Sequence, residues 1–406
     1  MVKRSLEQNL VLYPAYQACR GLLFWLPVFF LYFSSVLTVG EVLLLEAIYY
    51  LGVVCLEVPS GYFSDRVGRR LTLLIGMACW AAAGALFAAS GAFLPFAAAQ
   101  LLMAAGMAFN SGTDQALLYG TLAALGRGDE VSEAEGRAGR WHFTALATSA
   151  LVGGLLSGLD LRLAYALSAL SAIAAFAAAW RFVEPPGGGD AQRPDRQLRA
   201  VARQLREPSL VWVFAFTLAM TVLNHVPYEF FQPYTALLLA PAAEALPGDY
   251  SLAPPVTGAL MAAAMAIGAW ASGRAVALGR RLGTARALIA MAVLQGAVIA
   301  AMAWAVHPLI LVLVAARSLP GAVSGPLTSG VIQPRLPEGL RATYLSVQSL
   351  AGRLAFSGAL AVTALRIGDD APASAAVLSQ AMWPFAVMAA LVGGALWLTR
   401  DRLSGP

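Results

Sequence analysis

The sequence predicts an all-α membrane protein whose twelve transmembrane helices fall into two sets of six. Three observations predict it. The chain has 406 residues, of which 59% are hydrophobic and only 12% charged. A soluble domain carries about 25% charged residues and needs them for its polar shell. Twelve segments are apolar over the roughly 20 residues that a helix needs to cross the hydrocarbon core. A polar stretch at 184–207, EPPGGGDAQRPDRQLRAVARQLRE, then divides them six and six.

In order, the first six spans are placed at about 10–34, 41–64, 71–90, 94–120, 140–158 and 162–183. The first is expected to be a true span rather than a secretory signal. Lys3 and Arg4 look like a signal's charged start, but the apolar run of 10–33 is too long, contains Arg20 and offers no small-residue cleavage site. The linker begins with Pro and Gly and becomes arginine-rich. From Arg196 to Arg206 the arginines stand at helical spacing, which suits a short amphipathic helix on the membrane surface or a plain charged linker. The last six spans are placed at about 208–236, 256–278, 286–305, 309–333, 342–365 and 375–399. The domains are therefore 1–183, a linker at 184–207, and 208–406. Cys19, Cys55 and Cys79 all lie in apolar runs and read as small core residues, with neither a disulfide framework nor metal-ligand spacing.

An even number of spans puts both termini on one side. Segments on that side hold 22 of the 27 Lys and Arg, whereas the opposite loops hold only Arg162 and Arg366. By the positive-inside rule both termini are cytoplasmic. The net charge of +5 then reflects topology and the attraction of basic loops to anionic lipid, and no nucleic-acid partner is called for.

Residues 61–70, GYFSDRVGRR, form the short cytoplasmic turn between spans 2 and 3. Gly61 and Gly68 are expected to allow a tight turn and close helix approach. Asp65 suits a neighbouring helix N-terminus, where the dipole favours negative charge. Arg66, Arg69 and Arg70 suit acids on neighbouring helices or lipid phosphate. The pattern Gly61-x-x-x-Asp65-Arg66-x-Gly68-Arg69-Arg70 resembles the 2–3 loop signature of the major facilitator superfamily. With twelve spans and a central cytoplasmic loop, the resemblance covers nearly the whole chain. It implies two pseudo-symmetric six-helix bundles around a central cavity, rocking to open it to either side, with this loop as a cytoplasmic latch. It also implies a monomer in the bacterial inner membrane. In the family an acid near the cytoplasmic end of span 4, here Asp114, often pairs with a latch arginine. The 8–9 loop, SGRAVALGRRLG at 272–283, mirrors the latch, with Gly279-Arg280-Arg281 set against Gly68-Arg69-Arg70 and Val276 in place of Asp65. Span 4 lacks the arginine of many drug exporters, having Leu102 four residues before Gly106. Span 5 has glycines but no proline.

A charge near the bilayer centre costs at least about 2.5–3.5 kcal/mol, so each one retained asks for a reason. Arg20 and Arg353 fall near mid-depth of spans 1 and 11, and Arg317 lies somewhat outward in span 10. Together with Tyr50 and Asn110 they are candidate substrate-binding residues for an anionic or zwitterionic solute. The alternative is that acids or carbonyls neutralise each arginine and the pair only holds helices together. A carboxylate in a dry cavity binds a proton readily and can carry it through a transport cycle. Glu57, eleven residues from Glu46 on the same face of span 2, is the first choice for proton coupling. Its alternative is a pair with a cytoplasmic arginine. His225 and Glu229 stand four apart on span 7 around Pro227 and form a second candidate.

The function expected is secondary active transport of a small organic solute, coupled to protons and directed outward, with uptake or a transporter-like sensor as alternatives. No phosphate-binding loop of the G-x-x-x-x-G-K-[ST] form is present, so nucleotide is not the energy source. No cofactor or metal is called for. An enzyme is not expected, because His142, His225 and His307 lie apart with no catalytic spacing.

Overall fold

A computed structural model describes residues 2–186, 194–243, 251–368 and 373–403. Part of the linker, 187–193, lies outside the described residues. The first spanning segment is α1 (Val2–Gly21) followed by α2 (Phe29–Ser34). Then come α3 (Val39–Val67), α4 (Arg69–Ala89), α5 (Phe93–Asn110) with α6 (Thr113–Leu125), α7 (Val131–Ser157) and α8 (Arg162–Trp180). The linker holds α9 (Pro194–Gln204), the short helix that the arginine spacing allows. Next follow α10 (Pro208–Ala243), α11 (Ala253–Ser272), α12 (Ala275–Leu282) and α13 (Thr284–Trp304). The chain closes with α14 (Pro308–Ala315) and α15 (Leu319–Arg335), α16 (Glu338–Ile367) and α17 (Ala375–Leu398). Ten helical segments among the described residues are long and apolar enough to cross a membrane. The first segment falls outside that group because it is broken. So does α7, which starts nine residues before the expected span and carries Glu133, Glu135 and Arg137 there.

The chain divides into two compact units. One holds 1–37, 44–191 and 247–259; the other holds 38–43, 192–246 and 260–406.

In the first unit, two expected straight spans are interrupted. Span 1 breaks at 22–28, and its freed backbone groups are taken up by serines on neighbouring helices. On α8, Ser171 donates to Leu22 O at 2.9 Å and Ser168 Oγ accepts from Trp25 N–H at 3.3 Å; on α7, Ser149 donates to Gly21 O at 3.5 Å. The broken stretch also needs backbone-close neighbours. A Cβ on Gly153 of α7 would run into Phe24 O, and one on Gly21 would stand 2.6 Å from His142 O. Irregular backbone at membrane depth survives only when such groups satisfy and cover it. Span 4 breaks at Ser111 and Gly112, where Gly112 has φ +73 and α6 restarts at Thr113. Helix α3 packs on α5 at matched levels: Gly52 faces Ala104, and Ser60 donates to Ala108 O at 2.9 Å. An apolar cluster of Tyr13, Tyr16, Leu73, Met77, Leu117 and Phe182 ties α1, α4, α6 and the end of α8 together.

The turn between α3 and α4 is one residue, Gly68, at φ +124, a conformation that glycine alone adopts cheaply. Gly61 plays no part in it. It lies inside α3 and no atom stands within 4 Å of where its Cβ would be. In the 8–9 loop the equivalent one-residue turn is Gly283, at φ +83, immediately before α13. Gly279, the residue matched by sequence, is instead buried inside α12 against Leu327.

In the second unit α10 runs unbroken through Pro227, Pro233 and Pro241. Pro227 has no N–H for Leu223 O. Gln295 of α13 supplies the missing donor, its Nε2 lying 3.2 Å from that oxygen. Helix α16 packs on α10 through Gly352 against Thr221, and Tyr344 donates to Leu210 O at 2.9 Å. Helix α13 meets α17 where Gly296 faces Ala389.

Candidate functional site

The break in span 4 is the anchor of a buried polar network in the first unit. Asp114 sits in the first turn of α6, where the helix dipole favours a carboxylate. Its Oδ2 accepts from Arg20 Nη1 at 2.7 Å and from Gln17 Nε2 at 2.6 Å. Arg20 also donates to Gln17 Oε1 at 3.1 Å. Tyr16 donates to Asn110 Oδ1 at 2.6 Å, and Asn110 donates to Gly106 O at 2.6 Å. The side chains of Arg20 and Asp114 are only 17% and 7% exposed. The expected partner of Asp114 was a latch arginine. The partner found is Arg20, because the N-terminus of α6 faces α1. For Arg20 the geometry favours the helix-holding alternative, since it is already paired with Asp114; Asn110 bonds its own helix backbone at Gly106 O.

Glu46 and Glu57 of span 2 differ in their surroundings. Glu46 is 6% exposed and accepts from Gln100 Nε2 at 2.8 Å. Glu57, farther along the same helix, is half-buried. Tyr50 is buried and stands edge-on to Tyr49, with ring centres 5.1 Å apart.

In the second unit the structure brings His225 and Glu229 onto one face of α10, as the spacing predicts. Glu229 is fully buried. His225 Nδ1 lies 2.6 Å from Thr221 O, and its ring lies against Phe356 at 4.8 Å. Arg353 on α16 is half-buried. Arg317 is 7% exposed in a turn of 3-10 helix between α14 and α15. Its guanidinium lies 4.1 Å over the Phe231 ring and donates to Val314 O at 3.2 Å. It makes no ion pair among the described residues.

The 2–3 turn is held differently from expectation. The acid at the N-terminus of α4 is Glu184, at the end of the first unit's last span. It accepts from Arg69 N–H at 2.8 Å and Arg70 N–H at 2.7 Å. Asp65 is exposed and has no hydrogen bond among the described residues. The side chains of Arg66 and Arg70 meet rings and a carbonyl. Arg66 lies 4.7 Å over Tyr62, and Arg70 lies over Trp180 and donates to its carbonyl at 2.6 Å. The Arg69 guanidinium covers Gly120 of α6, where an added Cβ would displace it. Cys55 is exposed rather than part of a core.

The family model described as the Major Facilitator Superfamily matches residues 15–360. The chain belongs to the major facilitator superfamily. Its fold agrees with solved members at low identity. A nucleoside transporter, NupG, superposes with a TM-score of 0.77 at 11% identity, covering 97% of this chain and 98% of that one. An auto-inhibited peptide transporter of the POT family gives 0.71 at 13%, covering 97% of each chain. A D-xylose–proton symporter gives 0.64 at 13%, again covering 97% of each. No curated protein sequence matches the chain. These likenesses establish the fold, and the family match places the chain among transporters. Glu184, Gln17, Gln100 and Gln295 are bonding partners near the candidate residues that the sequence reading missed. Of these only Glu184 had a signal: it is the acid that ends span 6, next to a double proline.

Proposed function

We propose that this protein is a proton-coupled secondary transporter that moves a small anionic or zwitterionic solute across the bacterial inner membrane by alternating access. Two bundles, 1–183 and 208–406, would rock about the substrate, joined by the linker 184–207, with both termini cytoplasmic. Net efflux is the direction favoured, by analogy with exporters that carry the full 2–3 signature.

The observation that carries the reading is Arg317. A buried guanidinium with a ring and a carbonyl against it, and no ion pair among the described residues, retains its cost for an anion that comes from outside the chain. Arg353 is the second candidate contact. The full burial of Glu229 beside His225 on one helix supports α10 as the proton-responsive element. Glu57 is the candidate in the first unit.

The test uses purified protein in liposomes loaded with a pH-sensitive dye. A panel of small amino acids, amines and carboxylates is added with and without an imposed pH gradient. The reading predicts that transport of one solute class is accompanied by proton movement in the opposite direction and that Arg317→Gln abolishes this. Solute transport that ignores the gradient, or is unchanged in Arg317→Gln, would refute the coupling or the anion contact respectively.

A further inference from the structure

The segment between α11 and α13 repeats the outline of the 2–3 turn but not its bonds. No Asp or Glu occurs from 250 to 337, yet Arg274, Arg280, Arg281 and Arg286 are gathered within 274–286. In the 2–3 turn the arginines are engaged by the protein itself. Glu184 accepts from the N–H groups of Arg69 and Arg70, Arg70 donates to Trp180 O, and the Arg69 guanidinium lies against Gly120. The four arginines of 274–286 are all exposed and form no ion pair among the described residues. Arg274 lies 4.2 Å from the centre of the Trp270 ring and donates through Nη1 to Trp270 O at 3.2 Å, which engages one edge of its guanidinium. Helix α13 begins at Gly283 without a side-chain cap.

One face of α12 is seated in the second unit. Ala275 and Gly279 are buried, Gly279 against Leu327 of α15. The other face presents Val276 and Arg280, four residues apart and both exposed. Arg281 and Leu282 follow in the last turn and are exposed as well. Trp270, in the last turn of α11, is also exposed. Exposed Trp, Val and Leu set among cations at the end of a spanning helix are the composition of a membrane–water interface. There rings sit at headgroup level and guanidinium groups bond phosphate. A nucleic acid or an acidic protein would complement the arginines but not the apolar side chains between them.

We infer that residues 270–286 form a docking surface for anionic phospholipid of the cytoplasmic leaflet. Arg274, Arg280, Arg281 and Arg286 meet the headgroup phosphates, and Trp270, Val276 and Leu282 meet the edge of the acyl region. The two mirrored loops then have different partners: the arginines of the 2–3 turn hold the protein to itself, and those of the 8–9 loop hold it to lipid. The inference takes from the transport reading the cytoplasmic placement of this loop and nothing about solute or coupling, so transport measurements leave it untouched.

The experiment is hydrogen–deuterium exchange of the full-length protein, read by mass spectrometry in two kinds of nanodisc. One is phosphatidylcholine; the other is phosphatidylcholine with phosphatidylglycerol, acyl chains matched. One arginine near an anionic surface gains roughly fivefold in attraction over a neutral surface. Exchange across 273–283 should therefore slow by at least about fivefold in the phosphatidylglycerol discs, while 66–70 changes less. Arg274→Gln, Arg280→Gln, Arg281→Gln and Arg286→Gln together abolish the difference. The corresponding four Arg→Lys changes keep the point charges and retain most of it. The wild-type comparison needs no variant, so it stays decisive if a quadruple variant does not fold. Equal exchange in the two discs, an equal response at 66–70, or the same protection in neutral discs on adding inorganic phosphate or soluble RNA overturns the inference.

Discussion

The pair Arg20–Asp114 is the most consequential ionic contact in the first unit, and its removal can be worked through from the geometry. Asp114→Leu removes a carboxylate that is 7% exposed and leaves Arg20, 17% exposed, without its 2.7 Å partner. Gln17 loses its acceptor at 2.6 Å as well. Breaking one side of a buried pair costs about 3–5 kcal/mol, because the surviving charge stays desolvated. In a cooperative unit of about 150–250 residues each kcal/mol moves Tm by about 2–4 °C, so the loss predicted is about 6–20 °C. The assay is tryptophan-fluorescence melting of purified protein in detergent. The companion variant is Arg20→Met with Asp114→Leu, which removes both charges and should recover most of the loss, since an apolar pair of similar volume is often neutral. A single variant within about 2 °C of wild type, or a double variant as unstable as the single, would refute the claim that this pair is a desolvated structural clasp.

Other expectations follow from single contacts. Gly68→Ala forces a side chain onto φ +124 and should cost about 1–3 kcal/mol, read by the same melting assay. Glu184→Ala removes the acceptor for two N–H groups of α4. Because Glu184 is exposed, the loss should sit near the lower end of the about 0.5–2 kcal/mol typical of caps. Gln295→Leu strands Leu223 O and should cost about 1–3 kcal/mol; adding Pro227→Ala, which restores the backbone donor, should recover it. The exposed Arg127–Glu130 pair holds the Glu130 carboxyl below its ordinary range, through the bond to Arg127. Its contribution is therefore complete above the ordinary carboxylate range and is lost as pH falls through the lowered value. Carbon-13 NMR should show Glu130 titrating higher in Arg127→Ala.

Much of the fold was legible because twelve apolar segments and the distribution of arginines both follow from the bilayer as solvent. The breaks inside spans 1 and 4 were harder to read, because a helix interruption adds no charge and barely changes hydropathy. The second did leave a local trace in Ser111-Gly112-Thr113-Asp114, a run of turn and capping residues. The first left only Gly21 and Pro27, and the serines that satisfy it lie more than a hundred residues away on α7 and α8. The same distance problem explains the misassigned partners. Sequence gives the acids and the arginines but not their neighbours, so Asp114 was matched to the nearest motif rather than to Arg20, and Asp65 was given the role that Glu184 fills. The 8–9 loop misled for another reason: a matching Gly-Arg-Arg triplet lies four residues before the glycine that makes the turn. Neither Gln100 nor Gln295 could be found by pattern, because each is a lone amide in an apolar helix whose meaning depends on the oxygen it meets.

The claim on which the account stands is that this chain turns over as a carrier instead of merely binding its solute. Counterflow measures it most directly: liposomes preloaded with unlabelled solute, diluted into a trace of the same solute in labelled form. The account predicts transient accumulation of label above its external concentration, abolished in protein-free liposomes. Saturable binding to the purified protein with label never rising above equilibrium would contradict it.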